Sequence, residues 1–245
     1  MCIRDRCTGN CTGGSNPSLS AEIQRIKQQN PANVLFAGFC VFSPQALKSN
    51  VTLFIAENSS ICANKSGKGY ETHRAIIDAD GCSNITITGG GKIKGNGNLF
   101  GRKPAADKNN TKPAEYIDVI EMRKDYRSQL RFAHESKYGS PLYFVNCNHI
   151  HAQNITIENS AYWTFKLSNC NNISLSDLVI NNNRNVANAD GIDIAGCSNV
   201  DIRHCFISTA DDGIVIKNAV WLGNKGSMHN IKTVSYTHLT LPTKL

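Results

Sequence analysis

Residues 170–180, CNNISLSDLVI, and 197–207, CSNVDIRHCFI, carry one pattern twice. Each begins on a cysteine, has asparagine at its third position, and returns to an apolar residue at offsets of 3, 5, 8 and 10 from that cysteine. The apolar positions are Ile173, Leu175, Leu178 and Ile180 in the first copy and Val200, Ile202, Cys205 and Ile207 in the second. An earlier copy from Cys147 supplies Ile150, Ala152, Ile155 and Ile157, so successive copies start 23 and 27 residues apart. Apolar pairs two residues apart describe short strands with one face buried, and the break between pairs describes a corner. A unit of this length cannot bury its inward face alone. Units must stack, each strand pairing in parallel with its equivalents about 4.8 Å above and below. The repeat therefore predicts an all-β chain folded as a right-handed, single-stranded parallel β-helix.

The same Cys-x-x-[Ile/Val] signature starts at Cys82, and a degenerate copy starts at Met228. Asparagine fills the third position as Asn84, Asn172, Asn199 and Asn230, with His149 as the exception. Stacking places like residues on like, so both columns are expected to be internal ladders, the thiols packing as small hydrophobes and the amides bonding along the axis. The sequons at Asn50, Asn84, Asn154 and Asn172 are read as ladder or strand positions. Upstream, 33–41 and 47–55 are expected to be strands of the first coils. Residues 20–29 should form a short helix capping the open edge of the solenoid, and 96–112, rich in Gly, Asn and Lys, a loop excursion.

The ends do not share the pattern. Residues 1–6, MCIRDR, and 234–245, VSYTHLTLPTKL, resemble translated sequencing-adapter remnants. The expected domain is then 7–233, with a β-helix truncated on its C-terminal side and any export signal outside the sequence.

With 245 residues and 40% hydrophobic content the chain can build a sizeable core, and it contains no apolar run of the roughly 18 residues a membrane span needs. A formal charge of +7 suits a polyanionic partner or a solvated basic surface. The basic cluster Arg123, Lys124, Arg127 and Arg131 lacks interleaved aromatics, which argues against nucleic acid.

Aligning the coils on their apolar pairs sets Ala189-Asp190-Gly191-Ile192-Asp193-Ile194 against Asp211-Asp212-Gly213-Ile214-Val215-Ile216, with Tyr162-Trp163-Thr164-Phe165-Lys166-Leu167 one coil earlier. Asp190 and Asp212 should thus be equivalent residues on adjacent coils, with Asp211 beside them. Like charges at such spacing resist joint ionisation, so at least one carboxyl should hold its proton at mildly acid or neutral pH. A proton donor beside a carboxylate base is what glycoside hydrolysis requires.

Asn188-Ala189-Asp190 followed by Asp211-Asp212-Gly213-Ile214 and Lys217 resembles the polygalacturonase family, glycoside hydrolase family 28. The resemblance runs from about Val34 to Thr233 and implies a secreted, monomeric, cofactor-free hydrolase of acidic pectic polysaccharide, extracellular or periplasmic. It implies Asp211 as general acid, Asp190 and Asp212 as activators of the attacking water, and inversion at the anomeric carbon, for which acid and base stand roughly 6.5–9.5 Å apart. It implies substrate contacts for Asn188, Asp193, Lys217 and Trp163. The family's Gly-His-Gly and Arg-x-Lys would fall beyond Thr233, so this chain alone is expected to be inactive. Two other readings share the fold. One is a calcium-dependent pectate lyase, against which no Arg stands in register with the Asp column. The other is a non-catalytic β-helical polysaccharide-binding module.

Overall fold

The computed structural model describes residues 2–3, 34–37, 40–41, 44–63, 75–95, 97, 140–183, 188–209, 211–218, 224 and 228–239. The expected capping helix at 20–29 and nearly all of the 96–112 excursion lie outside them. Among the described residues the chain forms β1 (Cys2–Ile3), β2 (Val34–Ala37), β3 (Cys40–Val41), β4 (Gln45–Ala46), β5 (Val51–Ile55), β6 (Ser60–Cys62), β7 (Ala75–Asp80), β8 (Ser83–Thr88), β9 (Lys92–Lys94), β10 (Ser140–Val145), β11 (Asn148–Glu158), β12 (Phe165–Ser168), β13 (Asn171–Asn181), β14 (Ile192–Ala195), β15 (Ser198–Arg203), β16 (Phe206–Ser208), β17 (Ile214–Lys217), β18 (His229–Val234) and β19 (Thr237–Leu239).

The strands of the described residues pair in parallel throughout. A six-stranded sheet runs β17-β14-β12-β10-β7-β4, and a second sheet runs β1-β2-β5-β8-β11-β13-β15-β18 with β3, β6, β9, β16 and β19 attached. The long strands β11 and β13 explain the attachments. The first half of β11 pairs with β8 and its second half with β9, while β13 pairs in the same way with β15 and β16. Each coil therefore has three faces, and two of them are joined through a corner at Asn154, Asp177 or His204, all with φ between 52° and 53°. These corners fall in the gap between the paired apolar offsets. The result is a right-handed parallel β-helix.

The apolar positions stack into columns. Ile85, Ile150, Ile173 and Val200 share one register, and Ile93, Ile157, Ile180 and Ile207 share another, all at most 2% exposed. Phe144 and Phe165, on the paired strands β10 and β12 of the six-stranded sheet, meet edge to face at 5.7 Å across neighbouring columns. Burying each such side chain stabilises by about 1.5–3 kcal/mol, so the columns dominate the stability of each coil.

Cys82, Cys147, Cys170 and Cys197 are free, buried and stacked as expected. The Cys147 N–H donates to the Cys170 Sγ at 3.4 Å, and the Cys170 N–H to the Cys197 Sγ at 3.3 Å. The asparagine column differs from its expected place. It is a ladder, with Asn84 Nδ2 donating to Asn50 Oδ1 at 2.8 Å, Asn172 to Asn148 at 3.0 Å and Asn230 to Asn199 at 2.8 Å, but it lies at an exposed or half-buried corner. The physical reason is backbone shape. Asn50, Asn84, His149, Asn172, Asn199 and Asn230 all have φ between 52° and 60°, the left-handed region that asparagine tolerates best among residues with a side chain. The same demand explains why Gly81, Asn146, Asn169 and Gly196 precede the four cysteines, each with positive φ.

The 47–55 segment is strand only from Val51, because the turn at Asn50 (φ 60°) comes first. At the ends, β1 pairs with β2 and β19 pairs with β16, so residues set aside from the repeat extend the ladder by backbone hydrogen bonding. Ile216 lies in the inward column above Ile194 and is 56% exposed.

Candidate active site

The carboxylates of Asp190, Asp211 and Asp212 sit on the turns that lead into β14 and β17 of the six-stranded sheet. Ile192 pairs with Ile214 and Phe165 with Ile192, so Trp163, Asp190 and Asp212 fall in one register on three successive coils. Backbone bonds hold them there: the Thr164 N–H donates to the Asp190 carbonyl at 3.0 Å and the Gly191 N–H to the Asp212 carbonyl at 2.9 Å. The glycine after Asp190 is required by space. A Cβ at Gly191 would lie 2.3 Å from the Gly213 carbonyl oxygen and 2.8 Å from Cγ2 of Ile207. The twin Asp-Gly steps are thus the form that lets two carboxylate-bearing turns stack closely.

The three aspartates differ in setting. Asp190 is 5% exposed, and its Oδ1 is buried with no hydrogen-bond partner among the described residues. Asp211 is half-buried, with its carbonyl accepting from the Thr209 hydroxyl at 2.8 Å and its Oδ1 accepting from the Asp212 N–H at 3.1 Å. Asp212 is exposed. Burial pushes the Asp190 carboxyl up to about 8, and the charges of Asp193, Asp211 and Asp212 add to that rise against the opposing ammonium of Lys217. A carboxyl that keeps its proton near neutrality is thereby present, on the most buried member of the cluster.

The expected substrate-contacting residues fall in two groups. Asn188, 7% exposed and with φ 57°, sits in the turn leading to Asp190. Asp193, Lys217 and Trp163 are brought together on the outer side of the sheet. Asp193 is fully buried and forms an ion pair of 2.5 Å with the Lys217 Nζ. That Nζ also lies 3.7 Å from the centroid of the Trp163 ring, which is itself 7% exposed and stacked on Tyr162 at 5.0 Å. Burial raises the Asp193 carboxyl to about 6, less than Asp190 because Lys217 and Lys166 favour its ionised form.

Lys166 is not marked by its own sequence context, yet it is in register with Asp193 and carries its ammonium 4.2 Å from the Tyr143 ring and 4.9 Å from Trp163. The coil alignment that sets Thr164-Phe165-Lys166 against Gly191-Ile192-Asp193 already holds that information. Asn182 is a second unmarked residue, 4% exposed and bonded to the turn before Asp190. Its flanking residues, Asn181 and Asn183, hide it among like side chains.

Known proteins with this arrangement point one way. A profile of the glycosyl hydrolases family 28 matches residues 29–236. Polygalacturonase QRT2 of Arabidopsis thaliana is 26% identical over 149 residues, 60% of this chain and 28% of its own length. Polygalacturonase-2 of Solanum lycopersicum is 26% identical over 158 residues, 64% of this chain and 30% of its own length. The chain thus spans less than a third of these curated relatives. Among solved structures, a polygalacturonase from Erwinia carotovora ssp. carotovora superposes with a TM-score of 0.65 at 19% identity, over 88% of this chain and 59% of its own. The exopolygalacturonase of Thermotoga maritima superposes at 0.64 and 20% identity, over 91% and 56%. A right-handed β-helix, twin Asp-Gly turns in register and a profile match over most of its length together make this chain a member of glycosyl hydrolase family 28.

Proposed function

We propose that the protein carrying this chain is a polygalacturonase-like glycosidase that hydrolyses α-1,4-galacturonosidic bonds of pectin-type polysaccharide with inversion, outside the cytoplasm. The observation that carries this reading is the stack of Asp190 on Asp212 with Asp211 beside it, in which burial and mutual repulsion keep one proton within the cluster. In the proposed cycle Asp211 protonates the leaving glycosidic oxygen while a water, activated by Asp212 and Asp190, attacks the anomeric carbon from the opposite face. Asn188 borders the sugar site, and the Trp163, Lys217 and Asp193 group forms its wall.

The burial of Asp190 favours a second assignment, with Asp190 as the donor and Asp211 and Asp212 as the base pair. An aryl galacturonide with an activated leaving group separates the two. Losing the acid is compensated by a leaving group that needs no protonation, and losing the base is not. Rescue of Asp211→Asn but not Asp190→Asn supports the first assignment, and the reverse supports the second. Saturated products of inverted anomeric configuration, formed equally with and without a chelator, support hydrolysis. Unsaturated, calcium-dependent products would show a lyase, and binding without cleavage by the full-length protein would show a binding module.

A further inference from the structure

Asn182 follows the last residue of β13, on the coil that leads into the carboxylate turn, and its side chain uses its full reach. Its Oδ1 accepts the Ser160 N–H at 3.0 Å, and its Nδ2 donates to the Thr164 hydroxyl at 2.6 Å and to the Ala189 carbonyl at 3.1 Å. Its own N–H donates to the Ser208 carbonyl at 2.8 Å. One buried residue therefore joins the coil below, at Ser160 and Thr164, to the residue immediately before Asp190. Thr164, fully buried, completes the connection, because its N–H donates to the Asp190 carbonyl at 3.0 Å. Residues 189, 190 and 191 are thus fixed in turn by the Asn182 amide, the Thr164 N–H and the Asp212 carbonyl.

The last two of these contacts are ordinary rungs of the coil stack. The Asn182 contact is a side-chain brace at the point where the chain leaves the regular strand. An amide suits the place because it accepts and donates at once, and a carboxylate or an aliphatic side chain of the same size would leave at least one of the three buried partners unsatisfied.

We propose that Asn182 is a positioning residue for Asp190: by tying the Ala189 carbonyl to the coil below, it holds the Asp190 carboxyl in its buried place against Asp211 and Asp212. The inference rests on the hydrolase reading only for its kinetic consequence, since the placement of Asp190 is readable without substrate. Releasing the turn lets water reach Asp190 and lengthens its distance from the neighbouring charges, the two causes that raise its proton affinity. Asp190 in Asn182→Ala should therefore titrate at lower pH than in the native chain. In the full-length enzyme kcat should fall about tenfold to a hundredfold, the scale of a small displacement of a reacting group, with little change in KM.

The test is a carbon NMR titration of the chain with labelled aspartate, the Asp190 signal assigned by its loss in Asp190→Asn. Asn182→Ala is compared with Ile85→Val, a conservative change at a fully buried core position two coils below Ile173. A lower Asp190 midpoint in Asn182→Ala and an unmoved one in Ile85→Val is the expected result. A folded Asn182→Ala with the native midpoint overturns the proposal. Should Asn182→Ala not fold, Thr164→Val removes only the hydroxyl that receives the Asn182 amide, and a smaller downward shift is expected there, with no shift again overturning it. A full-length native protein that leaves polygalacturonate intact would break the hydrolase reading while the titration still decides the role of Asn182.

Discussion

Two polar columns run up this solenoid at the same coil spacing, and they behave oppositely. At the asparagine corner each amide donates to the coil beneath, as from Asn199 Nδ2 to Asn171 Oδ1 at 2.9 Å and from Asn230 Nδ2 to Asn199 Oδ1 at 2.8 Å. At the aspartate corner Asp190 and Asp212 stack in the same manner, but a carboxylate only accepts, and the buried Asp190 Oδ1 has no partner among the described residues. Stacking amides stabilises the coil, whereas stacking carboxylates costs stability and keeps a proton in place. Periodic geometry is therefore neutral in itself: donor capacity decides whether a column is a fastener or a reactive site.

Disrupting the aspartate column should have the largest effect. In the full-length enzyme Asp212→Asn is expected to lower kcat on polygalacturonate by roughly 10²–10⁴-fold, the usual worth of a general base, with the β-helix intact by circular dichroism.

Next comes the pH dependence of stability. The folded-state Asp190 carboxyl is raised from 3.8 to about 8 and that of Asp193 to about 6, so between these limits and the ordinary value the folded state binds more protons than the unfolded state. Their contribution is fully present below about pH 3.8 and is lost as pH rises through about 6 and then about 8. Chemical denaturation across that window should show the native chain losing stability relative to Asp190→Asn, which becomes the more stable of the two at pH 8 by a few kcal/mol. Parallel curves for the two proteins would rule out a buried, protonated Asp190.

The amide column is expected to yield smaller changes. Asn199→Ala removes two ladder bonds and leaves alanine at φ 53°, a cost of roughly 1–3 kcal/mol by denaturant titration. Asn199→Gly loses the same bonds but accepts that backbone without strain, so its cost should be about 1 kcal/mol smaller.

Much of this is legible in the sequence because a solenoid writes its contacts as local periodicity. The offsets from each cysteine locate the inward columns, the gap between apolar pairs locates the corners at Asn154, Asp177 and His204, and the twin Asp-Gly steps locate the stack of Asp190 on Asp212. The asparagine column is legible as a ladder but not as an outer one, because identity at a repeat position reports stacking and not which side of the backbone the residue takes. Positive φ decides that. Asn182 and the Lys217 pair with Asp193 are not legible as contacts, since they join residues at non-equivalent positions of different coils. Nor can the sequence tell which carboxyl is most buried, a property of everything packed around the turn.

Whether Asp190 stacked on Asp212, with Asp211 beside them, forms a hydrolytic centre is tested by the rate of reducing-end release from polygalacturonate, measured for the full-length protein and for its Asp211→Asn variant with folding verified for both. A loss of at least about a hundredfold is predicted; equal rates in the two proteins would refute it.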